Sequence, residues 1–128
     1  MRVLLDTHTF LWFVAGDARL SAVAQQMIAD PMEEPLLSVA SLWEIAIKLS
    51  LGKLAIQGPF TPFISEQLRH NGISLLGITL AHTAHVTTLP FYDRDPFDRL
   101  LVAQAHSEHL PIISADKMFD AYGVTRLW

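Results

Sequence analysis

Residues Arg2–Asp6 read RVLLD, a short apolar run that ends on a carboxylate. Such a run is typical of a strand buried on both faces of a parallel sheet. Thr7 can cap a helix over His8–Ala15, which Gly16 ends. In sheets built from strand–helix units, ligands bind beyond the carboxyl ends of the strands. The position of Asp6 therefore predicts a functional acid as well as a fold.

The same alternation of short apolar runs and helical periodicity continues along the chain. Further strands are predicted at Pro35–Ser38, Ile73–Leu76, Pro111–Ser114 and Val124–Leu127. Further helices are predicted at Ser21–Asp30, Val39–Leu51, Phe63–His70, Thr79–Val86 and from Pro96 to about His109, with one or two helical turns at Lys117–Tyr122. Strands that alternate with helices predict an α/β fold, here one domain over residues 1–128 with helices on both faces of a mostly parallel sheet.

Composition narrows the class of protein. The chain has 128 residues, of which 51% are hydrophobic and 17% are charged, so a compact globule is expected. It has no cysteine, which excludes disulfides, thiolate zinc sites and thiol nucleophiles. The net charge of −4 counts against a protein that coats DNA, but not against a nuclease whose acids surround cations. No apolar run is long enough to span a membrane, and we expect a soluble, cytoplasmic protein.

Four acids occupy the predicted carboxyl edge of the sheet. Asp6 ends the first strand, and Glu44 lies early in the helix after the second. Asp98 lies in the first turn of the long helix, and Asp116 follows the strand ending at Ser114 by two residues. No comparable set of basic or nucleophilic side chains shares this edge, so we expect the acids to form the functional site.

Such a cluster calls for a cation. Two carboxylates about 5–6 Å apart repel by roughly 3 kcal/mol at an effective dielectric constant near 20, and four acids make six such pairs. A divalent cation relieves this repulsion, and a set of hard oxygen ligands selects Mg²⁺ or Mn²⁺ over zinc. A Mg²⁺ ion held by few carboxylates can also polarise a phosphoryl group and activate an attacking water. The acids therefore predict phosphate chemistry.

Four blocks that contain these acids carry a family resemblance. They are LLDTHTFLW (Leu4–Trp12), SLWEIAIKLSLGKL (Ser41–Leu54), DRDPFDRLLVAQA (Asp93–Ala105) and ISADKMF (Ile113–Phe119). In this order and spacing they resemble the signature blocks of the PIN-domain family, specifically the VapC-like toxins of type II toxin–antitoxin pairs. The resemblance covers essentially the whole chain and maps the family's acidic site to Asp6, Glu44, Asp98 and Asp116. Ser114 matches the small hydroxyl residue that steadies this site.

The resemblance implies a Rossmann-like PIN fold and a Mg²⁺- or Mn²⁺-dependent endoribonuclease. It also implies a homodimer and a cognate antitoxin that blocks the site. We expect single-stranded RNA to be cut by a metal-activated water, leaving 5′-phosphate and 3′-hydroxyl ends. An exposed apolar face at Phe60–Leu68 or Leu11–Phe13 is expected to seat the antitoxin.

Each acid also has a structural alternative. Asp6, Asp98 and Asp116 all lie where an acid can cap or favour the start of a helix. Ser41-x-x-Glu44 matches a capping box, in which Glu44 would bond the Ser41 N–H. Asp95 competes with Asp98 for the site, but Asp95 before Pro96 better fits a helix N-cap.

Other polar and aromatic residues have weaker signals. Arg99 and Lys48 are candidates for phosphate contact, with a solvated charge on a helix as the alternative for each, and His8 is a candidate for substrate contact. His82 and His85 have the spacing of a metal-binding pair but no third partner, which favours a surface pair. The aromatic residues Trp12, Trp43 and Phe97 are expected to pack rather than to stack on bases.

Three other functions compete with a ribonuclease. A phosphatase of the haloacid-dehalogenase class needs a second Asp two residues after the first, where this chain has His8. A metal-dependent DNA nuclease of related fold can be separated only by testing substrates. A catalytically silent binding protein would have no physical reason to keep four repelling carboxylates, and Mg²⁺ binding would discriminate it.

Overall fold

The computed structural model describes the whole chain, Met1–Trp128. The strands are β1 (Arg2–Leu5), β2 (Glu34–Ser38), β3 (Ser74–Leu76), β4 (Ile112–Ile113) and β5 (Arg126–Leu127). The helices are α1 (Thr7–Ala15), α2 (Ala22–Ala29), α3 (Val39–Ser50), α4 (Phe60–His70), α5 (Leu80–Val86) and α6 (Pro96–Glu108), with a 3₁₀ helix at Lys117–Tyr122. Each strand is followed by at least one helix except the last, as the sequence pattern predicts.

The five strands form one sheet in the order β3-β2-β1-β4-β5, and every neighbouring pair is parallel. β1 lies at the centre, where Leu5 is in register with Leu37 of β2 and Ile113 of β4. Because all strands run the same way, the residues that follow them emerge at one edge of the sheet. Asp6 and Ser114 therefore lie side by side at that edge.

Successive residues of β1 face opposite sides of the sheet and enter two separate cores. Leu4 packs in a cluster with apolar residues of α6, whereas Val3 and Leu5 pack in a cluster supplied by α1, α2, α3 and α4. The sheet is thus covered by helices on both faces. This arrangement confirms the predicted three-layer α/β/α fold with a parallel sheet.

Some predicted boundaries were wrong. The strand predicted from Pro111 is limited to Ile112–Ile113, and the strand predicted from Val124 to Arg126–Leu127. Helix α4 begins at Phe60, three residues before the predicted start. Pro62 is the third residue of that helix, where a missing N–H costs nothing because the first turn has no intrahelical acceptor for it.

The helices are short. The longest, α6, has 13 residues, and none of them combines the length and the apolar character that crossing a lipid bilayer requires.

Candidate acidic active site

Asp6 lies at the centre of the candidate site. It occupies the N-cap position of α1, but its side chain makes no capping hydrogen bond there. Its side chain is buried, and burial raises the pKa of Asp6, with nearby Glu44 adding to the increase. The hydrogen bond from Ser114 and the charge of His8 lower the pKa but only partly offset burial. The Thr7 N–H also lowers the pKa of Asp6, and the hydrogen bond from Ser114 holds the carboxyl in place.

Ser114 connects the two central strand ends. Its buried Oγ donates to Oδ2 of Asp6 at 2.8 Å and accepts from the Asp116 N–H at 3.0 Å. Its own carbonyl accepts from Nη1 of Arg126 at 3.1 Å. The hydroxyl thus fixes both the orientation of Asp6 and the turn that carries Asp116.

Asp98 faces Asp6 from the first turn of α6. Burial raises the pKa of Asp98 to about 9, and a hydrogen bond shared with Asp93 and the charges of Asp95 and Asp6 act in the same direction. At neutral pH this carboxyl therefore keeps its proton in the metal-free protein.

Asp93 is an acid that the sequence analysis did not single out. Burial raises the pKa of Asp93, but hydrogen bonds with Asp98 and with the N–H groups of Asp95 and Arg94 outweigh burial, so its pKa is lowered. Asp93 and Asp98 thus form a coupled pair, in which the pKa of Asp98 is raised and that of Asp93 is lowered. In the sequence, only its position two residues before Asp95 could have indicated that Asp93 belongs to the site. Its contact with Asp98 depends on the geometry of the loop, which the sequence does not show.

Glu44 approaches Asp6 from helix α3. The predicted capping box with Ser41 does not form, since α3 begins at Val39 and is capped by Ser38, whose hydroxyl accepts from the Ala40 N–H. Ser41 instead accepts a hydrogen bond from the Thr7 hydroxyl at 2.8 Å. Glu44 Oε2 lies 3.1 Å from Nζ of Lys48, one turn further along the helix. The Glu44 carboxylate therefore does not cap the helix, and it forms an ion pair with the Lys48 ammonium group.

Asp116 and Asp95 both cap helices. Asp116 Oδ1 accepts from the Met118 N–H at 3.0 Å, at the start of the 3₁₀ helix. Asp95 Oδ1 accepts from the N–H groups of Phe97 and Asp98 at 2.8 and 3.3 Å, as the sequence pattern predicted. Asp116 also lines a cavity of about 320 Å³ together with Asp6 and His8, whereas Asp95 does not. Glu44 and Asp98 do not line this cavity either, so among the four candidate ligands the cavity joins only Asp6 and Asp116.

The phosphate contact predicted for Arg99 is wrong. Its side chain is buried beneath the loop before α6, where it donates to backbone carbonyls. Nη1 donates to Pro90 at 2.9 Å and reaches Asp93 at 3.4 Å, while Nη2 donates to the carbonyls of Val86 and Leu89. Arg99 therefore holds this loop in place. The interpretation of Arg99 from the sequence failed because the sequence does not show whether a charged residue of a helix faces solvent or packs under a loop.

The prediction that His82 and His85 form a surface pair was also wrong. His82 is buried, and its Nδ1 accepts from the Thr79 N–H in a capping box at the start of α5. His85 instead bonds His106 of α6, with 2.9 Å between Nε2 and Nδ1. The two rings point to different partners because α5 packs along α6, and they cannot ligate one metal together.

The donor set fits a hard cation, although the site is not preassembled. No three His, Asp or Glu side chains stand close enough together to hold a metal ion. All candidate donors are carboxylates, and burial is the main cause of the raised pKa values of Asp6 and Asp98, with the charges of neighbouring acids adding to it. Asp6, Glu44, Asp98 and Asp116 are the residues that would hold Mg²⁺ or Mn²⁺.

Comparison with protein families gives a clear assignment. The PIN domain family matches residues 3–124, nearly the whole chain. The chain therefore belongs to the PIN domain family.

Two curated relatives from Mycobacterium tuberculosis (strain ATCC 25618 / H37Rv) are similar to it. Ribonuclease VapC22 is 28% identical over 116 residues, which cover 90% of this chain and 87% of that protein. Ribonuclease VapC16 is 42% identical over 59 residues, which cover 46% of this chain and 42% of that protein. The stronger identity is thus confined to less than half of either sequence.

Solved structures agree on the fold. VapBC2 from Rickettsia felis, bound to a DNA fragment from its promoter, has a TM-score of 0.70 at 11% identity and covers 99% of this chain and 98% of that one. FitAcB from Neisseria gonorrhoeae has a TM-score of 0.63 at 16% identity, covering 100% and 97%. FitAB bound to the IR36 DNA fragment has a TM-score of 0.67 at 16% identity, covering 99% and 94%. At these identities the match extends to the fold alone.

Proposed function

We propose that this protein is a Mg²⁺- or Mn²⁺-dependent endoribonuclease that acts as the toxin of a type II toxin–antitoxin pair. The observation that carries the proposal is the buried Asp6 carboxyl, held by Ser114 at the carboxyl edge of a PIN-domain sheet, with Glu44 near enough to raise its pKa and Asp116 on the same cavity. The names of the VapC ribonucleases support RNA as the substrate.

The proposed roles follow from the positions of the side chains. Asp6, Asp98 and Asp116 hold the cation, and Glu44 completes the donor set or orients the attacking water. Ser114 fixes the Asp6 carboxyl through its hydrogen bond. A bound divalent cation would polarise the phosphoryl group and lower the pKa of water. His8, which is exposed on the wall of the same cavity as Asp6, is placed to contact the substrate.

A cleavage assay tests this function. Purified protein is incubated with single-stranded RNA, structured RNA and single-stranded DNA in Mg²⁺, in Mn²⁺ and in EDTA. Asp6→Asn is the test variant, and Asp30→Asn, an exposed acid at the end of α2, is the matched control. We expect RNA cleavage that needs the metal, survives in Asp30→Asn and falls at least about 100-fold in Asp6→Asn, since losing a ligand costs more than losing an outer-shell partner.

The ends of the products test the mechanism separately. Attack by water leaves 5′-phosphate and 3′-hydroxyl ends, whereas 2′,3′-cyclic phosphate would contradict it. Cleavage that persists in EDTA and in Asp6→Asn would overturn the proposed site. Cleavage of DNA but not RNA would replace the proposal by a DNA nuclease. Absence of both cleavage and Mg²⁺ binding would favour a silent binding protein.

An apolar groove supports an antitoxin as partner. A cavity of about 390 Å³ lies between α1, α4 and the segment after α3, and seven of its nine lining residues are hydrophobic, among them Leu11, Val14, Leu54 and Phe63. It brings together the two regions predicted as antitoxin seats. A groove of this kind accepts an amphipathic segment of another chain, and we propose that the antitoxin binds there.

A homodimer is part of the same proposal. Trp43 was expected to be packed, but 64% of it is exposed, with its ring edge-on to Phe97 at 5.7 Å. Val39 lies one turn before Trp43 and is also exposed. An exposed apolar patch of this kind suits a contact between copies of the chain. Light scattering of wild type and Trp43→Ser tests it, and a monomeric wild type would contradict it.

A further inference from the structure

A second cavity adjoins the acidic site and differs from it in charge. It has a volume of about 270 Å³ and lies between α1 and the end of α3. It is lined by Arg19, Lys48 and Lys53 together with Asp17, Trp12 and apolar side chains, and we call it the basic pocket. His8, Trp12 and Arg19 also line the cavity that contains Asp6 and Asp116, so the two cavities meet at these residues.

The basic pocket concentrates positive charge in an acidic protein. The chain carries a net charge of −4 and only nine lysines and arginines. Three of these line the pocket, against the single carboxylate of Asp17. Lys53 is exposed and has no ion-pair partner in the chain. A patch of opposite sign to the whole molecule attracts an anionic ligand locally.

Arg19 is already held in position. Its Nε and Nη2 bond the Asp17 carboxylate, with the shortest contact at 2.7 Å, and its Cζ lies 4.9 Å from the centre of the Trp12 ring. Its Nη1 has no hydrogen-bond partner in the chain. A guanidinium fixed on one edge and open at the other loses little conformational entropy when it binds an oxyanion.

Lys48 links the basic pocket to the acidic site. Lys48 lines the pocket, and its ammonium group lies 3.1 Å from Oε2 of Glu44, one of the four candidate ligands. A nucleic-acid strand whose scissile phosphate lies at the acids would therefore bring a neighbouring phosphate close to these cations. Trp12 supplies an apolar wall beside them, which suits a sugar or a base.

We propose that the basic pocket binds a backbone phosphate of the single-stranded RNA, next to the bond held at the acidic site, with Arg19 and Lys53 as direct contacts. The inference rests on the proposed function for the identity of the strand. The combination of an open guanidinium edge, a free lysine and a continuous path to the acids favours a phosphodiester chain over an acidic segment of a protein.

Binding of a fluorescent oligouridylate, measured by anisotropy in EDTA over a range of salt concentrations, tests the proposal. All proteins carry Asp6→Asn, so that binding is separated from cleavage. Arg19→Ala and Lys53→Ala are compared with Arg69→Ala. Arg69 is a matched control because its side chain is 73% exposed against 69% for Arg19, it also pairs with a nearby carboxylate, and it lines neither cavity.

We expect Arg19→Ala and Lys53→Ala each to weaken binding about tenfold, as the loss of a charge-assisted hydrogen bond does. Each should also reduce the slope of log affinity against log salt by about 0.7, the value for one phosphate contact on a single strand. Arg69→Ala should stay within about twofold of the parent. Equal affinities and slopes in all three variants would overturn the proposal.

The outcome is separable from that of the proposed function. If wild type cleaves RNA but Arg19→Ala and Lys53→Ala bind and cleave like Arg69→Ala, the pocket proposal fails and the nuclease stands. If wild type cleaves nothing but the two variants still lose RNA affinity, the pocket stands and the nuclease fails. If the variants keep their RNA affinity and lose affinity for an oligoglutamate peptide, the pocket is a protein contact and the proposal is overturned.

Discussion

The Ser114 hydroxyl donates to the Asp6 carboxylate at 2.8 Å, although 108 residues separate the two in sequence. Both groups are buried, and each directly follows one of two neighbouring parallel strands. The same hydroxyl accepts from the Asp116 N–H, so one side chain orients two of the four candidate ligands. Such outer-shell contacts decide the affinity of a metal site nearly as much as the ligands do.

Replacing Ser114 by Ala should therefore weaken Mn²⁺ binding by about 10-fold to 100-fold. The variant should also lose about 1 kcal/mol of unfolding free energy, since a buried hydrogen bond is removed. Calorimetric titration with Mn²⁺ and urea denaturation measure the two effects. Ser50→Ala is the matched control, because the Ser50 hydroxyl bonds a carbonyl on the exposed end of α3. Unchanged Mn²⁺ affinity in Ser114→Ala would refute the steadying role.

The pKa of Asp98 predicts how stability depends on pH. Burial raises this pKa to about 9 in the folded protein, from 3.8. Between these values the folded state binds more protons than the unfolded state, so the metal-free protein should lose stability as pH rises from about 4 to about 9. Melting temperatures in EDTA should show this slope in wild type and a smaller slope in Asp98→Asn. An equal slope in both would contradict the assignment.

The affinity for a divalent cation should increase with pH, whereas the stability of the metal-free protein should decrease. A cation that binds the Asp98 carboxylate displaces its proton, so the affinity for Mn²⁺ should increase with pH up to about 9 and protons should be released on binding. Titration in buffers of different ionisation enthalpy counts those protons. Asp98→Asn should release fewer of them. Mn²⁺ binding that is independent of pH would show that Asp98 is not a ligand.

Arg99 and Tyr122 should matter for stability. Tyr122 Oη accepts from the Asp93 N–H at 3.0 Å and donates at 2.8 Å to the Pro90 carbonyl, which also accepts from Nη1 of Arg99. Arg99→Met should cost about 2–4 kcal/mol because buried carbonyls lose their donors, and Tyr122→Phe about 1 kcal/mol. Urea denaturation checks both, with exposed Arg94→Met as control. If Arg99→Met kept normal stability but bound RNA more weakly, Arg99 would again be a candidate for contact with an RNA phosphate.

The apolar groove should govern antitoxin binding. Leu54→Ser changes a groove residue, and Leu51→Ser changes a nearby leucine that is 61% exposed and lies outside the groove. Loss of a buried apolar anchor typically costs more than 1 kcal/mol, so Leu54→Ser should weaken binding about tenfold. Each variant is co-expressed with a candidate antitoxin, such as a small protein encoded beside this one, and the amount that co-purifies measures the effect. Equal recovery by both variants would place the antitoxin elsewhere.

The sequence alone determined the fold class, and it predicted the edge of the sheet at which the acids lie. Buried strands such as Arg2–Leu5 are marked by unbroken apolar runs, and helix limits by local residues such as Asp95 and Pro96. These signals are local, because periodicity and capping depend on neighbours within a few residues. The four acids could be placed at one edge since parallel strands share the direction of their carboxyl ends.

Tertiary structure alone decided which side chains meet. Three features join residues from different parts of the chain. They are the burial of Arg99 under a loop, the contact between Asp93 and Asp98, and the presence of Arg19 and Lys53 on one cavity. A charged residue in a helix or turn carries no local mark of whether it faces solvent, a carbonyl or a cavity. Only the packing of α1, α3 and α6 on the sheet fixes those distances, and with them the electrostatics of the site.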